Sequence, residues 1–420
     1  MLELFPDSAR VEGGELTLGG VRSSELAKRF GTPVVVYCAE TIRARAREAG
    51  DAAPGALIAY GSKAFPNVAV MQLLAEEGLG VDVSSLGELA FARAAGLDGE
   101  HVLVHGNAKS DEELRAAAEA GATVVLDAED EPDRATTAGV RRVLVRLTLG
   151  VEADTHEAIR TGHHGSKFGL PPDPALRTIA RARELGLDVA GLHVHVGSQL
   201  ADVTAHVATI ECLALFAVRC RDELGWTPAL VDVGGGFGVR HVPDEPQVDL
   251  GAAIGAVVDA VLRSWEAGGL PAPRLVIEPG RALVGRAGAT LYRVRSVKQL
   301  EDLTWVAVDG GMSDNPRPQL YGARYTALSA TRANEPADVT VSVAGVHCES
   351  GDVLIDDVAL PAPATGDLLA VPATGGYSLA LSSNYNATPR PAAVLVADGE
   401  ARLIRRRETI DDLLAFESPA

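Results

Sequence analysis

The chain has 420 residues, of which 47% are hydrophobic and 23% are charged, so it contains enough apolar material for a large core. Its formal net charge of −19 argues against a nucleic-acid partner and against docking on an anionic membrane. The sequence has no uncharged apolar run of about 18 residues and no basic, apolar leader, so neither a membrane span nor a signal peptide is predicted.

The four cysteines are Cys38, Cys212, Cys220 and Cys348. They are scattered along the chain and form no CxxC pair. This distribution suits reduced thiols in a cytoplasmic protein better than a disulfide framework or a zinc site.

Residues 1–40 contain two β-like segments, GELTLGG and PVVVYC. Their β-branched and apolar residues are typical of strands. We expect these strands to complete a β domain formed by the C-terminal part of the chain.

Residues 41–281 alternate between short apolar runs and amphipathic stretches. The eight apolar runs are 56–63, 80–85, 101–107, 123–128, 143–149, 191–198, 230–236 and 274–281. The helix-like stretches include 110–121, which opens with a serine cap and an acidic first turn. Eight strand-then-helix units over about 230 residues predict a closed, TIM-like (β/α)8 barrel. An open, doubly wound sheet is the alternative that periodicity alone does not exclude.

Polar residues gather at the carboxyl ends of these predicted strands, where barrel enzymes carry their active sites. They are Lys63, Asp82, Ser84, His105, Asn107, His195, Ser198, Gly234 to Gly236 and Glu278. The barrel interpretation therefore places them at one mouth.

After Arg281 the helical periodicity disappears, and glycine and proline punctuate short β-like runs. The runs are TWVAVDGG, DVTVSVAGVHC, DLLAVPAT and AAVLVADGEARLIRRR. Residues 282–420 are therefore predicted to form an all-β domain, which the N-terminal strands complete.

Lys63 is one of only five lysines and ends the first predicted barrel strand. Partial desolvation lowers the pKa of a lysine and makes its amine a nucleophile toward a carbonyl. The alternative is a barrel-mouth lysine that simply pairs with a carboxylate. The other lysines lie on an N-terminal helix, in loops and in the β region, and are weaker candidates.

The segment VDVGGGFG (231–238) runs from a strand into a glycine-rich turn. Glycines such as Gly235 and Gly236 allow backbone N–H groups to approach a phosphate closely. Many such turns are merely tight, but the position after the seventh strand favours a phosphate site. The segment is neither a Walker A sequence nor a GxGxxG fingerprint.

Two histidines, His193 and His195, lie two residues apart in HVHVGSQ. The pair could be structural, could bind a metal, or could stack on a cofactor ring. No HExxH motif or comparable third ligand accompanies it, so no metal site is predicted. Ser198 offers a hydroxyl to an anion.

Further polar residues follow the eighth strand and lie in the β region. Glu278 could form an ion pair or hold a protonated ring nitrogen. Arg281 and Arg317 could bind carboxylates through two parallel hydrogen bonds. Cys348 taken alone is interpreted as a small, buried hydrophobe beside an acid.

Together, a lysine, a phosphate turn, a ring-stacking histidine and an acid for a ring nitrogen are the parts that pyridoxal phosphate requires. The chain resembles the diaminopimelate decarboxylases, within the pyridoxal-phosphate-dependent decarboxylases that also include ornithine and arginine decarboxylases. The matching segments are YGSKAFPN, GLGVDVSSLGEL, VHGNAKS, THEAIRTGHHGSKFGL, GLHVHVGSQ, VDVGGGFG, EPGRALVG, DGGMSDNPRPQLYGARY, CESGDVL and SSNYN.

The resemblance implies a role for each matching residue. Lys63 holds the cofactor covalently, and Cys348 of the partner subunit returns a proton after carbon dioxide leaves. His195 stacks on the cofactor ring, and Glu278 pairs with the ring nitrogen. The implied cofactor contacts are Lys63, Asp82, His195, Ser198, Gly235, Gly236, Glu278, Gly280, Arg281 and Tyr377. The implied substrate contacts are Arg281, Arg317, Tyr321, Glu349 and Tyr377.

The implied activity is that of a carboxy-lyase that converts meso-2,6-diaminopimelate to L-lysine and carbon dioxide, the last step of lysine biosynthesis. The resemblance further implies a cytoplasmic homodimer with shared active sites, without nucleic-acid or membrane partners. Two alternatives stay open: a related decarboxylase acting on another free or carrier-tethered amino acid in secondary metabolism, and a non-catalytic homologue that binds the cofactor. A racemase would need a second base opposite Lys63.

The chain departs from its relatives in a few segments near the expected pocket rim. NAKS stands where many relatives have two asparagines, and GGY before Ser378 replaces the more usual pair of small residues. The loop TGHHGSKFG carries two histidines. These departures are the reason why an altered substrate preference stays open.

Overall fold

The computed structural model describes residues 1–150 and 166–419. The chain divides into two compact units. A β-rich unit contains residues 1–44, 239–246 and 283–420, and a barrel unit contains residues 45–238 and 247–282. The two histidines of TGHHGSKFG, His163 and His164, lie outside the described residues.

The N-terminal part of the chain begins with three short strands. The elements are β1 (Arg10–Glu12), β2 (Glu15–Leu18), β3 (Val21–Arg22), α1 (Ser23–Phe30), β4 (Val34–Cys38) and α2 (Ala39–Ala52). Strands β1 to β3 form their own three-stranded sheet. Leu16 and Leu18 of this sheet nevertheless belong to the same buried cluster as Val34 and Val394, so it contributes to the core of the β-rich unit.

The barrel unit contains eight parallel strands that close on themselves, which confirms the predicted barrel and rules out the open sheet. The strands are β5 (Leu57–Gly61), β6 (Gly80–Val83), β7 (Val102–Val104), β8 (Thr123–Leu126), β9 (Arg142–Arg146), β10 (Asp188–His193), β11 (Leu230–Asp232) and β12 (Arg274–Ile277). Their order around the barrel is β10-β11-β12-β5-β6-β7-β8-β9. Apolar side chains such as Leu103, Val125 and Leu144 fill its interior.

Helices follow most of these strands, as a (β/α)8 fold requires. They are α3 (Val68–Glu76), α4 (Leu86–Ala94), α5 (Asp111–Glu119), α6 (Glu131–Ala138), α7 (Pro172–Glu184), α8 (Thr204–Leu224) and α9 (Leu250–Ala267). Helix α5 begins with the predicted serine cap, in which Ser110 and Glu113 form a reciprocal capping box. Among the residues that the structure describes, no helix is both long and apolar enough to cross a membrane.

The C-terminal elements are mostly strands, as predicted. They are α10 (Arg281–Val284), β13 (Gly288–Gln299), β14 (Thr304–Val308), α11 (Arg317–Tyr321), β15 (Leu328–Ser329), β16 (Val339–Ala344), β17 (Val353–Leu360), β18 (Leu368–Val371), β19 (Ala392–Ala397), β20 (Glu400–Arg405) and α12 (Ile410–Leu414). One sheet runs β17-β16-β14-β13-β4-β19-β20, and β18 pairs with β13 and β15. The N-terminal strand β4 thus lies between β13 and β19, which confirms that N-terminal residues complete the β domain.

Candidate active site

Lys63 lies in a short 3-10 helix that directly follows barrel strand β5. Its Nζ donates a hydrogen bond to Oδ2 of Asp82, at the end of the neighbouring strand β6, over 3.1 Å. The Asp82 carboxylate is buried, whereas 48% of the Lys63 side chain is exposed. The ion pair therefore orients the amine without enclosing it, and the amine stays accessible to a carbonyl group.

Glu278 follows strand β12 and is held between two histidines. Its Oε1 lies 2.7 Å from Nε2 of His105, and its Oε2 lies 3.4 Å from Nε2 of His193. The two imidazole rings meet edge to face with centroids 4.8 Å apart. Burial by itself would raise the pKa of Glu278, but the two histidines lower it well below its usual value. Glu278 is therefore ionised although it is buried. Burial lowers the pKa of His193 to about 4, so that His193 is neutral.

Asp232, the last residue of strand β11, is a second buried carboxyl group next to Glu278. Burial and then the charge of Glu278 raise the pKa of Asp232 well above its usual value, so Asp232 is protonated. Its Oδ1 accepts a hydrogen bond from the Gly234 N–H over 2.9 Å. One carboxyl oxygen each of Asp232 and Glu278 and one ring nitrogen of each histidine all lie within 4.8 Å of one another. This cluster therefore holds two carboxyl groups but only one negative charge.

The glycine-rich turn after β11 requires residues without side chains. Gly234 and Gly236 have φ angles of +69° and +102°, which favour glycine. A Cβ on Gly235 would lie 2.1 Å from the Glu278 carbonyl oxygen, and one on Gly236 would lie 2.5 Å from the Gly197 carbonyl oxygen. The turn thus packs directly against the loops after β10 and β12, and the N–H groups of Gly234 and Gly235 are hydrogen-bonded to the side chains of Asp232 and His195.

His195, in the loop after β10, lies against this turn. Its Nδ1 accepts a hydrogen bond from the Gly235 N–H over 3.2 Å, which leaves the ring proton on Nε2. Burial and the nearby charge of Lys63 lower the pKa of His195 well below its usual value. A neutral, flat ring in a fixed orientation is suited to stacking on an aromatic group.

The remaining predicted cofactor contacts in this unit lie in the same loops. Ser198 is in the loop after β10 and is partly exposed. Gly280 approaches the end of β5 so closely that an added Cβ would lie 2.9 Å from the Gly61 carbonyl oxygen. Arg281 is buried at the start of α10.

These residues lie at the carboxyl ends of six consecutive barrel strands, β10, β11, β12, β5, β6 and β7. The arrangement fits pyridoxal phosphate, because it offers an accessible amine, a flat neutral ring and an anionic carboxylate. The turn at Gly234 to Gly236 has no side chains in the way of a phosphate and can offer it the backbone N–H of Gly236. The two histidines keep Glu278 ionised, as a partner for a protonated ring nitrogen must be.

Several charged residues that the structure buries in this unit have no role predicted from the sequence. For His105 the sequence predicts only a polar residue at a strand end, although its side chain contacts Glu278. Lys109, predicted to lie in a loop, forms a buried ion pair with Glu131 over 3.0 Å. Arg146 lies 3.5 Å from Asp127 in a second buried pair. A charged residue inside an otherwise apolar strand, such as Arg146, is the signal that could have identified this network.

The other predicted site residues lie in the β-rich unit. They are Arg317, Tyr321, Cys348, Glu349 and Tyr377. Cys348 is exposed, so its interpretation as a buried hydrophobe is wrong. The physical reason is that Cys348 and Glu349 lie in the connection after β16, beyond the apolar strand residues.

Side chains of the SSNYN segment contact this connection. The Cys348 N–H donates to Asn386 Oδ1 over 3.1 Å, and the Tyr385 hydroxyl donates to Glu349 Oε2 over 3.4 Å. Tyr377 has a φ angle of +61°, which is unusual for a residue with a large side chain. Such strain is often found at functional positions.

Comparison with known proteins agrees with this geometry. The profile of the family described as "Pyridoxal-dependent decarboxylase, pyridoxal binding domain" matches residues 39–285. A diaminopimelate decarboxylase from Actinosynnema pretiosum subsp. auranticum is 48% identical over 421 residues, which cover 99% of this chain and 95% of that protein. A diaminopimelate decarboxylase from Bacillus subtilis (strain 168) is 42% identical, with 99% and 98% covered.

The fold agrees as well. The crystal structure of a diaminopimelate decarboxylase from M. jannaschii in complex with L-lysine matches with a TM-score of 0.91 and 32% sequence identity, and the match covers 98% of both chains. The family profile spans more than half of this chain, and the relatives span nearly all of it. The chain therefore belongs to the family of pyridoxal-dependent decarboxylases, in which these full-length relatives are diaminopimelate decarboxylases.

Proposed function

We propose that this chain is a carboxy-lyase that uses pyridoxal 5'-phosphate to convert meso-2,6-diaminopimelate to L-lysine and carbon dioxide. This reaction is the last step of lysine biosynthesis. The observation that carries the proposal is the presence of Lys63, Glu278 and the glycine-rich turn on neighbouring strands of one barrel. The names and full-length similarity of the relatives support the choice of substrate.

When bound, pyridoxal phosphate supplies an aromatic ring that accepts the electrons released when a carboxylate leaves as carbon dioxide. Glu278 provides the negative charge that holds a proton on a ring nitrogen. Asp232, being protonated, adds no second charge beside Glu278. Lys63 supplies the amine that holds the cofactor, and Asp82 orients that amine.

The remaining roles concern the substrate and the proton. A substrate with an amino-carboxylate group at each end needs cations and an acid to bind the end that does not react. Arg281, Arg317, Tyr321, Glu349 and Tyr377 are proposed to provide these contacts. Cys348, an exposed thiol, is proposed to return a proton to the carbon that loses carbon dioxide.

The resemblance also supports two proposals about the protein in the cell. The chain would act as a homodimer with shared active sites, in which Cys348 serves the partner subunit's cofactor. It would act in the cytoplasm. Light scattering of the purified protein tests the first proposal, because a monomer at working concentrations would contradict it.

The direct test uses the purified protein with added pyridoxal phosphate. We expect visible absorbance from the bound cofactor, and release of both lysine and carbon dioxide when meso-diaminopimelate is added. The Lys63→Ala variant should lose both signals and serves as the control. Bound cofactor without lysine release would redirect the search to other amino acids, and no cofactor binding would overturn the enzyme assignment.

A further inference from the structure

Arg317, the first residue of α11, is buried and held along one edge of its guanidinium group. Its Nη1 donates hydrogen bonds to Nε2 of His241 over 2.8 Å and to the hydroxyl of Tyr325 over 2.5 Å. The His241 and Tyr325 rings meet edge to face, with centroids 5.2 Å apart. All three residues belong to the β-rich unit. The guanidinium plane is therefore fixed by two partners on the same nitrogen.

On the opposite edge of this guanidinium, the donors make no hydrogen bond to the part of the chain that the structure describes. Nε is buried and has no hydrogen-bond partner within residues 1–150 and 166–419. Nη2 also donates no hydrogen bond to any of these residues. Nε and Nη2 together form the fork that binds a carboxylate through two parallel hydrogen bonds. Since a buried, unpaired donor is costly, this edge points to a carboxylate ligand.

The contact with Arg317 determines which nitrogen of His241 carries the proton. Arginine can only donate, so Nε2 of His241 must be an acceptor without a proton. The ring proton is therefore on Nδ1, which lies 3.5 Å from Oε2 of Glu245. The same carboxylate oxygen accepts the His241 backbone N–H over 2.7 Å.

Glu245 is ionised in this arrangement. Burial by itself would raise the pKa of Glu245, but hydrogen bonds from the His241 side chain and backbone lower it below its usual value. Glu245, His241 and Arg317 thus form a series of contacts in which Glu245 orients His241 and His241 orients Arg317. The sequence VRHVPDEP does not predict this series of contacts, because Arg317 lies 76 positions beyond His241.

We propose that His241, oriented by Glu245, is a positioning residue that orients Arg317 to bind a carboxylate of the substrate. Protonation of His241 breaks its hydrogen bond with Arg317, so that Arg317 is no longer held in this orientation. The inference rests on the proposed function, because it takes the ligand carboxylate from the amino-carboxylate end that does not react. A protonated imidazole has no acceptor for Arg317 and places a second cation 2.8 Å from Nη1. Carboxylate binding should therefore weaken at acid pH.

Among residues 1–150 and 166–419, other charges near His241 come from its own loop and from the segment after α11. Glu245 favours the protonated ring, and Arg317 opposes it. Farther along the same loop, Asp244 pairs with Arg324 over 2.8 Å, so these two charges offset each other. Arg240 donates to backbone carbonyl groups within the loop. Among the described residues, Glu245 and Arg317 are therefore the charged groups that contact the His241 ring.

The test compares two ligands of the cofactor-loaded protein by calorimetry. L-Lysine keeps the carboxylate that Arg317 is proposed to bind, whereas cadaverine is the same diamine without a carboxylate. Between about pH 7.5 and pH 5.5 we expect L-lysine to bind about tenfold more weakly, the effect of losing one charge-assisted hydrogen bond. The affinity for cadaverine should change much less over the same range.

Three variants separate positioning from general damage. His241→Gln places an amide oxygen near the position of Nε2 and cannot titrate, so it should bind L-lysine well with little pH dependence. His241→Phe keeps a ring but lacks the acceptor, and should bind L-lysine about tenfold more weakly at all pH values. Glu245→Gln removes the anion that favours the protonated ring, so the loss of affinity for L-lysine on acidification should occur at a lower pH.

The outcomes discriminate between the inference and the function on which it rests. Equal pH dependence in the wild type and His241→Gln, or equal losses for L-lysine and cadaverine, would overturn the inference. If His241→Phe does not fold, the other two variants still decide the question. Failure of the proposed function has a different signature, because meso-diaminopimelate would then yield no lysine at any pH.

Discussion

The two units carry their candidate site residues in different ways. In the barrel unit, Lys63 and Glu278 each follow a strand directly, and the strand order alone makes their strands neighbours. In the β-rich unit, Arg317 depends on His241, which lies 76 positions away in the chain. In a parallel barrel, position at a strand end determines position in space, whereas in the β-rich unit the partners come from separate loops.

The two units also treat buried charge differently. The barrel unit places Glu278 between two histidines and keeps it ionised. In the β-rich unit, burial raises the pKa of Asp314 to about 7, although Tyr292 and the Gly311 N–H donate hydrogen bonds to it. Glu278 thus stays charged where two histidines contact it, whereas Asp314 tends toward neutrality because burial and the nearby carboxylates of Asp352 and Asp309 raise its pKa.

The first prediction tests whether the two units act on one reaction across a dimer. Lys63→Ala and Cys348→Ala should each lose nearly all activity, because one removes the cofactor's amine and the other the proton donor. Mixed in equal amounts under conditions that allow subunit exchange, the two variants should recover about a quarter of wild-type activity, since half of the dimers then hold one intact site. No recovery despite proven exchange would contradict shared active sites.

The second prediction separates the two buried acids of the barrel. Glu278→Gln removes the single negative charge of the cluster, and kcat should fall about 100-fold. Asp232→Asn is the matched control: Asp232 is already neutral, so kcat should fall less than tenfold. Steady-state kinetics and the absorbance of the bound cofactor measure both effects. Equal losses in the two variants would show that the charge assignment is wrong.

The third prediction concerns Asp314 and the pH dependence of stability. Its pKa is raised to about 7 in the folded protein, so the folded protein binds a proton more tightly than the unfolded chain does. This tighter proton binding stabilises the folded protein, and the effect is fully present below the pKa that Asp314 has in the unfolded chain. This contribution is lost as the pH rises through about 7, and amounts to about 2–4 kcal/mol. Asp314→Asn should remove this part of the pH dependence, as measured by urea unfolding between about pH 5 and pH 8. An unchanged difference between the two pH values would argue against a neutral Asp314.

The smallest expected effect is at the start of α5, where local sequence alone determines the structure. Ser110→Ala removes the capping box with Glu113 and should lower the free energy of unfolding by about 1 kcal/mol. Arg115→Ala, an exposed position on the same helix, is the control and should change it by less than about 0.5 kcal/mol. Urea unfolding at fixed pH measures both variants. Similar decreases in the free energy of unfolding would show that loss of the capping box is not the cause.

Local patterns in the sequence determined the barrel and the position of much of its site. The runs that became β5 to β12 are apolar because strands of a closed parallel barrel are buried on both faces. Their polar ends, including Lys63 and Glu278, mark the barrel mouth because the chain leaves the apolar core there. Helix α5 begins at its predicted serine cap for an equally local reason.

Only the tertiary structure decided the relations that depend on distant residues. The segment PVVVYC predicts a strand, but nothing in it shows that β4 lies between β13 and β19. Asp232 and Glu278 are both acids in the sequence, and their opposite charge states arise from burial and from which of them the histidines contact. His241 acquired its role only when folding brought it to Arg317. The physical reason is that charge state and hydrogen-bond partners depend on which groups share a buried space, and residues far apart in the chain fill that space.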